Sequence, residues 1–143
     1  MITDALLRVS ADQAVTATAV STNTVDLSVA RDMGEGKDLY MNFATTEAVS
    51  GGTSIKFEVI TSASADLSTP TVIGSSDALA VAGLTLGKNV AVRLNPQIAS
   101  QGQRYLGARY TVVGTPTAGK FTADIVETVQ DGRKTYASGF TVV

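Results

Sequence analysis

The sequence contains no cysteine, no histidine and no tryptophan among its 143 residues. Without cysteine there is no disulfide or thiolate chemistry, and such a chain is compatible with synthesis in a cytoplasm. Without histidine the commonest general base and transition-metal ligand are missing, which excludes Ser-His-Asp and Cys-His catalysis and disfavours structural zinc. Without tryptophan a sugar-stacking platform is disfavoured. We therefore expect no enzymatic activity, no cofactor, no bound metal and no small-molecule substrate.

Charge is also scarce, because charged residues are 17% of the chain against a usual level of about 25%. Eleven basic and 13 acidic residues give a net charge of −2. The basic residues are scattered, apart from Arg133-Lys134, whereas nucleic-acid binding needs clustered cations. Asp4 and Arg8 interrupt the apolar N-terminus, and no apolar run is long enough for a membrane span. We expect no nucleic-acid partner and no membrane association.

Hydrophobic and polar residues alternate with the two-residue period of β-strands along most of the chain. The clearest strand is Ile55 to Ile60, and turn signals at Ser50 to Thr53 and Gly114 to Gly119 are typical of hairpins. Seven or eight such strands predict an all-β, antiparallel β-sandwich or barrel in a single domain spanning residues 1–143. Poor periodicity at the start allows a short N-terminal arm, about residues 1–14, or a strand of small residues at Val15 to Val20.

The most distinctive segment is a charged, glycine-containing loop that leads into an alternating strand, Leu39 to Phe43. A dinucleotide-binding loop would need a third glycine where Leu39 stands, followed by a helix. A calcium-binding EF-hand starting at Asp32 would need oxygen ligands where Gly34, Gly36 and Phe43 stand. Both standard motifs fail, although a looser calcium site, a solvated turn and a protein-contact loop all stay open. The charged residues of this candidate contact loop are Arg31, Asp32, Glu35, Lys37 and Asp38.

Two further groups of residues have a functional and a structural interpretation. Glu58, Asp124 and Glu127 could supply the paired carboxylates of a glycosidase, but solvent-facing charges on strands explain them more simply. Tyr105, Arg109 and Tyr110 are residue types enriched at interface hot spots. The alternative is that each covers the rim of its own sheet.

An ordered set of short motifs runs through most of the chain and resembles the capsid cement, or decoration, proteins of short-tailed bacteriophages. The motifs are Arg31-Asp32 with Gly34 and Gly36, Gly52-Thr53-Ser54, Thr61-Ser62 with Asp66, Thr69-Pro70-Thr71, Arg104-Tyr105-Leu106, Tyr110 to Gly114, and Thr117 to Gly119. The segment Ala11 to Leu27 adds to this resemblance.

The resemblance implies a jelly-roll-like sandwich that is made in the host bacterial cytoplasm and sits on the capsid exterior of the virion. It implies a homodimer at or near two-fold positions that binds neighbouring major capsid protein subunits. The residues alone leave two alternatives open, namely a tail, fibre or receptor-binding β-sandwich and a carbohydrate-binding module.

Overall fold

The computed structural model describes residues 2–30, 36–94 and 103–129. These residues form ten β-strands and two single-turn 3-10 segments, Ala5–Leu7 and Val81–Gly83. Within these ranges no helix is long and apolar enough to cross a membrane. The fold of the described residues is therefore built from β-strands.

The strands form two antiparallel sheets. The four-stranded sheet has the order β1-β10-β4-β8, and its strands are β1 (Arg8–Ala14), β4 (Tyr40–Gly51), β8 (Asn89–Arg93) and β10 (Pro116–Val126). In the six-stranded sheet the order is β2-β9-β5-β6, with β3 beside β9 and β7 beside β5. Its strands are β2 (Ala19–Val20), β3 (Val25–Asp26), β5 (Ser54–Ser62), β6 (Thr71–Ser75), β7 (Leu79–Ala80) and β9 (Tyr105–Val113). The predicted all-β antiparallel sandwich is therefore confirmed, while its jelly-roll form stays a prediction.

Four aromatic rings join the two sheets through the centre of the molecule. Phe43 and Phe121 come from the four-stranded sheet, and Phe57 and Tyr110 come from the six-stranded sheet. All four side chains are fully buried, and the contacting ring pairs have centroids between 5.0 and 5.9 Å apart. Rings of this size bury large apolar areas and favour offset-stacked or edge-to-face contacts. This cluster fixes how one sheet lies on the other.

The long hairpin from β4 to β5 follows the predicted turn at Ser50 to Thr53. Gly51 and Gly52 both have positive φ, 73° and 77°, which residues with side chains adopt only at a cost. A Cβ on Gly52 would also lie 2.8 Å from Cγ of Pro116. Glycine is therefore required there by both conformation and space.

The beginning of the chain differs from the predicted arm or strand of small residues. Residues 8–14 pair with β10 as an edge strand, and Val9 is fully buried. Of the stretch Val15 to Val20, only Ala19–Val20 is a strand. Two register shifts between β1 and β10 accompany the irregular sequence pattern, because bulges break the two-residue alternation.

Two other predicted boundaries are corrected by the structure. The loop predicted at Gly114 to Gly119 is shorter, since β10 already begins at Pro116. The alternation of Val25, Leu27 and Val29 with polar residues predicts a strand through Val29, but the strand ends at Asp26, and Ser28 has a positive φ of 65°. The sequence also predicts a short strand near Phe140 to Val143, after a turn at Asp131-Gly132, and both lie outside the described residues.

A second, smaller apolar contact lies on the outward face of the six-stranded sheet. Ile60 and Leu67 are buried but do not belong to the central cluster. Leu67 comes from the loop after β5 and lies where a Cβ on Gly107 would stand, 2.4 Å from its Cδ1. Ser62 Oγ donates to the carbonyl of Ser68 at 2.6 Å and holds this loop onto the sheet.

Candidate contact surfaces

The candidate contact loop is described only at its C-terminal end. Arg31, Asp32 and Glu35 lie outside the described residues, so their prediction as contact residues stays a prediction. Lys37 Nζ donates to Glu127 Oε2 at 2.8 Å, and both side chains are more than 60% exposed. Such an exposed ion pair contributes little stability, and solvent and salt weaken it further.

Asp38 forms the second ion pair at this end of the four-stranded sheet. It accepts a hydrogen bond from Arg93, the last residue of β8, and precedes β4 by two residues. Since Glu127 directly follows β10, three neighbouring strands contribute to the two pairs. The charged side chains at the point where the loop joins the four-stranded sheet are therefore already paired with each other.

An open concavity of about 760 Å³ lies beside these ion pairs. Its lining includes Lys37, Asp38, Tyr40, Ala91 and Glu127. The charged members are the paired residues just described, so the lining has little unbalanced charge to select an ionic ligand.

The calcium hypothesis for the loop involves three carboxylates, and one of them lies within the described residues. That carboxylate, Asp38, is already paired with Arg93. Across the described ranges there is no group of three or more acidic, histidine or cysteine side chains that could hold a metal ion. The calcium hypothesis for Asp32 and Glu35 lies outside those ranges.

The three carboxylates weighed for glycosidase chemistry have different surroundings. Glu58 lies on β5 of the six-stranded sheet, whereas Asp124 lies on β10 of the four-stranded sheet. Asp124 Oδ1 accepts a 2.8 Å hydrogen bond from Arg8 Nε, and Glu127 is paired with Lys37. Each carboxylate thus has its own cation, and the structure does not assemble the three into one cleft.

Tyr105, Arg109 and Tyr110 lie on β9, but only two of them reach the surface. The Tyr110 side chain is fully buried, its hydroxyl donates to Ser10 Oγ at 2.9 Å, and burial raises its pKa. It therefore packs the core and presents no ring to a partner. Tyr105 is half-buried, and the Arg104 guanidinium carbon lies 5.1 Å from its ring centroid.

Arg104 is held in place over Tyr105 by a second contact. Its Nε and one Nη donate to the two oxygens of Asp26, both at 2.8 Å. These hydrogen bonds, together with one from the backbone N–H of Ser28, lower the pKa of Asp26 to about 2. The fork geometry fixes the guanidinium plane and leaves a neutral, ordered patch of Asp26, Arg104 and Tyr105 on the sheet.

Arg109 belongs to a different arrangement, centred on a buried carboxylate. Its Nε donates to Glu58 Oε2 at 2.6 Å, Thr111 Oγ1 donates to the same oxygen at 2.8 Å, and Lys56 Nζ lies 3.0 Å from Oε1. The Glu58 side chain is only 4% exposed. Burial alone would raise the pKa of Glu58, but hydrogen bonds from Arg109, Thr111 and Lys56 lower it to about 2.

Sequence reasoning missed the role of Glu58, which it placed among solvent-facing charges. The available signal is cross-strand: Arg109 and Thr111 are two residues apart and face one side of β9, as Lys56 and Glu58 do on β5. Only the observed register, with Glu58 opposite Arg109 and Lys56 opposite Thr111, brings the four residues together.

The family relationship of the chain comes from comparison with family models. The model of the family described as Bbp16 matches residues 9–125, from β1 to the penultimate residue of β10. The chain belongs to the Bbp16 family. Comparison with curated proteins gives no match. The Bbp16 match covers the two-sheet sandwich and includes the charged loop. It also includes the Glu58 cluster, formed by Lys56, Glu58, Arg109 and Thr111, and the Tyr105 patch, formed by Asp26, Arg104 and Tyr105.

Proposed function

We propose that this protein is a structural component of a phage virion that binds the capsid exterior and cements neighbouring major capsid protein subunits. The observation that carries the proposal is the ordered set of motifs that resembles capsid cement proteins. The Bbp16 family match over residues 9–125 spans these motifs and is consistent with a phage protein. In this role the protein catalyses no reaction and stabilises the head against the pressure of packaged DNA.

The architecture suits a part that must resist force without changing shape. The two sheets share one core, in which aromatic rings from both sheets contact each other. Exposed positions near the N-terminus are often short side chains, such as Thr16, Thr18 and Thr22. Short side chains lose less rotamer entropy on immobilisation than lysine or glutamate, which favours contact with a large partner.

We further propose that the protein acts as a homodimer. A two-fold dimer presents two equivalent surfaces, which matches the two-fold relationship between neighbouring units of a symmetric shell. When both surfaces bind, the second contact forms at high effective concentration, and avidity rises by roughly 10² to 10⁴ without new contacts. Modest individual contacts are therefore sufficient to cement the shell.

The test compares phage heads made with and without this protein. Electron cryomicroscopy of the two preparations should show density on the outer surface that bridges major capsid protein subunits only when the protein is present. Adding purified protein to the deficient heads should restore that density and raise the temperature at which heads release DNA. Density confined to the tail would overturn the proposal.

The alternative functions predict different solution behaviour. A fibre or receptor-binding module is expected to trimerise and to bind host glycans, as an isolated carbohydrate-binding module would also do. A cement protein is expected to dimerise and to bind empty heads. Sedimentation analysis and a glycan array on the purified chain distinguish these outcomes without the phage.

A further inference from the structure

The outward face of the six-stranded sheet carries an anionic side chain that is almost completely enclosed by two cations and a threonine. Glu58 and Lys56 lie on β5 and face Arg109 and Thr111 on β9. Each of these three neighbours contacts a Glu58 oxygen at 2.6 to 3.0 Å. Glu58 is 4% exposed, whereas Arg109 and Lys56 remain 28% and 38% exposed.

The cluster carries one positive charge in excess, because two cations surround a single carboxylate. Arg109 uses Nε for Glu58, and neither of its two Nη groups has a hydrogen-bond partner among the described residues. Those groups are the fork that binds a carboxylate through two parallel hydrogen bonds. The guanidinium is thus fixed through Nε on its buried side, while its two Nη groups have no hydrogen-bond partner in the part of the chain that the structure describes.

We propose that Arg109 and Lys56, positioned by Glu58, form a docking site for a carboxylate side chain of an acidic segment on a different protein. Under the proposed function that protein is the capsid shell, so this identification of the partner rests on the proposed function. Because Glu58 already orders both cations, little conformational entropy remains to be lost when the partner binds. The neighbouring Val113, 54% exposed, adds apolar contact area at the rim.

Charge decides between this partner and two others. A second copy placed on a two-fold axis through this face would bring equivalent cations together, which is unfavourable. A nucleic acid would need a row of cations to neutralise successive phosphates, whereas this cluster has a single excess charge. A partner carboxylate between Arg109 and Lys56 balances that charge.

The test measures binding of the full-length protein to heads that lack it, with three variants of the face. Arg109→Lys keeps a cation beside Glu58 but removes the guanidinium fork, and Lys56→Gln removes the second cation. Val113→Glu adds a negative charge to the same face without contacting Glu58. The control is Lys120→Gln, which removes a cation of similar exposure, 46%, from its pair with Glu47 on the other sheet.

We expect each of the three variants to bind heads roughly tenfold more weakly, because each loses or opposes a charge-assisted hydrogen bond. The control should bind as the unmodified protein does. Thermal unfolding verifies that the variants are folded, and Val113→Glu keeps the test valid if Arg109→Lys unfolds. Binding equal to the control in all three variants would overturn the docking site while leaving the proposed function intact.

A second probe separates the docking site from the capsid hypothesis. Hexaglutamate is titrated into isotope-labelled full-length protein, and amide shifts are followed by NMR. We expect the amides of Lys56, Arg109 and Thr111 to shift, with smaller changes near Lys120. If the unmodified protein does not bind heads, the proposed function fails. The amide shifts then decide by themselves whether the docking site binds carboxylates, and their absence would overturn the docking site.

Discussion

The hydroxyl of Tyr110 on the six-stranded sheet donates a 2.9 Å hydrogen bond to Ser10 Oγ on the four-stranded sheet. Both residues are fully buried, so this bond crosses the interior between the sheets. Ser10 Oγ in turn donates to Gln13 Oε1 at 2.8 Å. The hydrophobic core therefore contains hydroxyl groups that satisfy each other across the two sheets.

The hydrogen bond between Tyr110 and Ser10 predicts that removing one hydroxyl lowers stability more than removing the other. Tyr110→Phe removes one hydrogen bond and should lower the free energy of unfolding by about 1 kcal/mol. Ser10→Ala leaves the buried Tyr110 hydroxyl without a partner and should cost more, about 1–3 kcal/mol. Urea denaturation of both variants and of the double variant checks this, because the double variant should cost less than the sum. Additive losses would show that the two hydroxyls are not coupled.

The close approach of β6 to β8, at the edges of the two sheets, predicts that residue 74 must be glycine. A Cβ on Gly74 of β6 would lie 2.3 Å from the carbonyl oxygen of Arg93 on β8, which belongs to the other sheet. A backbone oxygen cannot swing aside as a side chain can, so Gly74→Ala should destabilise by about 1–3 kcal/mol.

The matched control for this glycine is Gly83, where a Cβ would meet nothing within 4 Å. Thermal unfolding of Gly83→Ala should stay within about 0.5 kcal/mol of the unmodified protein. Equal melting temperatures for Gly74→Ala and Gly83→Ala would contradict the close approach of the two edges.

The Glu58 cluster predicts a loss of stability in acid. The pKa of Glu58 falls from an ordinary value of 4.5 to about 2 on folding, so the folded state favours the carboxylate. Its contribution is fully present above pH 4.5 and disappears as pH falls toward 2, and it is on the order of 3 kcal/mol. Chemical denaturation between pH 6 and pH 2, pH values chosen to bracket roughly this window, measures the slope.

The control for the acid titration is Glu47→Gln, which removes an exposed carboxylate paired with Lys120. We expect Glu58→Gln to flatten the pH dependence while lowering stability at neutral pH, because Arg109 loses its buried partner. Glu47→Gln should leave the slope nearly unchanged, since exposed pairs contribute little. A slope unaffected by Glu58→Gln would exclude this carboxylate as the source.

Local pattern was sufficient to predict the central strands. The alternation of Leu106, Ala108 and Tyr110 predicts β9 with the bounds that the structure has, and Ile55, Phe57 and Val59 face the core as expected. A two-residue period specifies strands well wherever one face is buried.

The two-residue period could not predict which residues are buried on the outward face of β5. Ile60 and Glu58 point outward from β5, yet both are buried. Leu67 lies over Gly107, the β9 residue opposite Ile60, and Arg109 donates a hydrogen bond to Glu58. These contacts depend on a loop fold and on strand register, which are tertiary properties. For the same reason the aromatic character of Tyr110 suggested an interface, although its position in the alternation already placed it with the core.

The charged loop predicts a loss of capsid binding without a loss of fold. Substituting Arg31 and Asp32 together by alanine leaves the net charge unchanged and removes the two charges that begin the loop. If this loop contacts the shell without supporting the fold, occupancy on deficient heads should fall while the melting temperature stays unchanged. The matched control is the charge-neutral pair Glu47→Ala with Lys120→Ala, which removes an exposed ion pair elsewhere. Occupancy is measured by quantitative gel analysis of purified heads, and equal occupancy for both double variants would mean that the loop is a solvated turn.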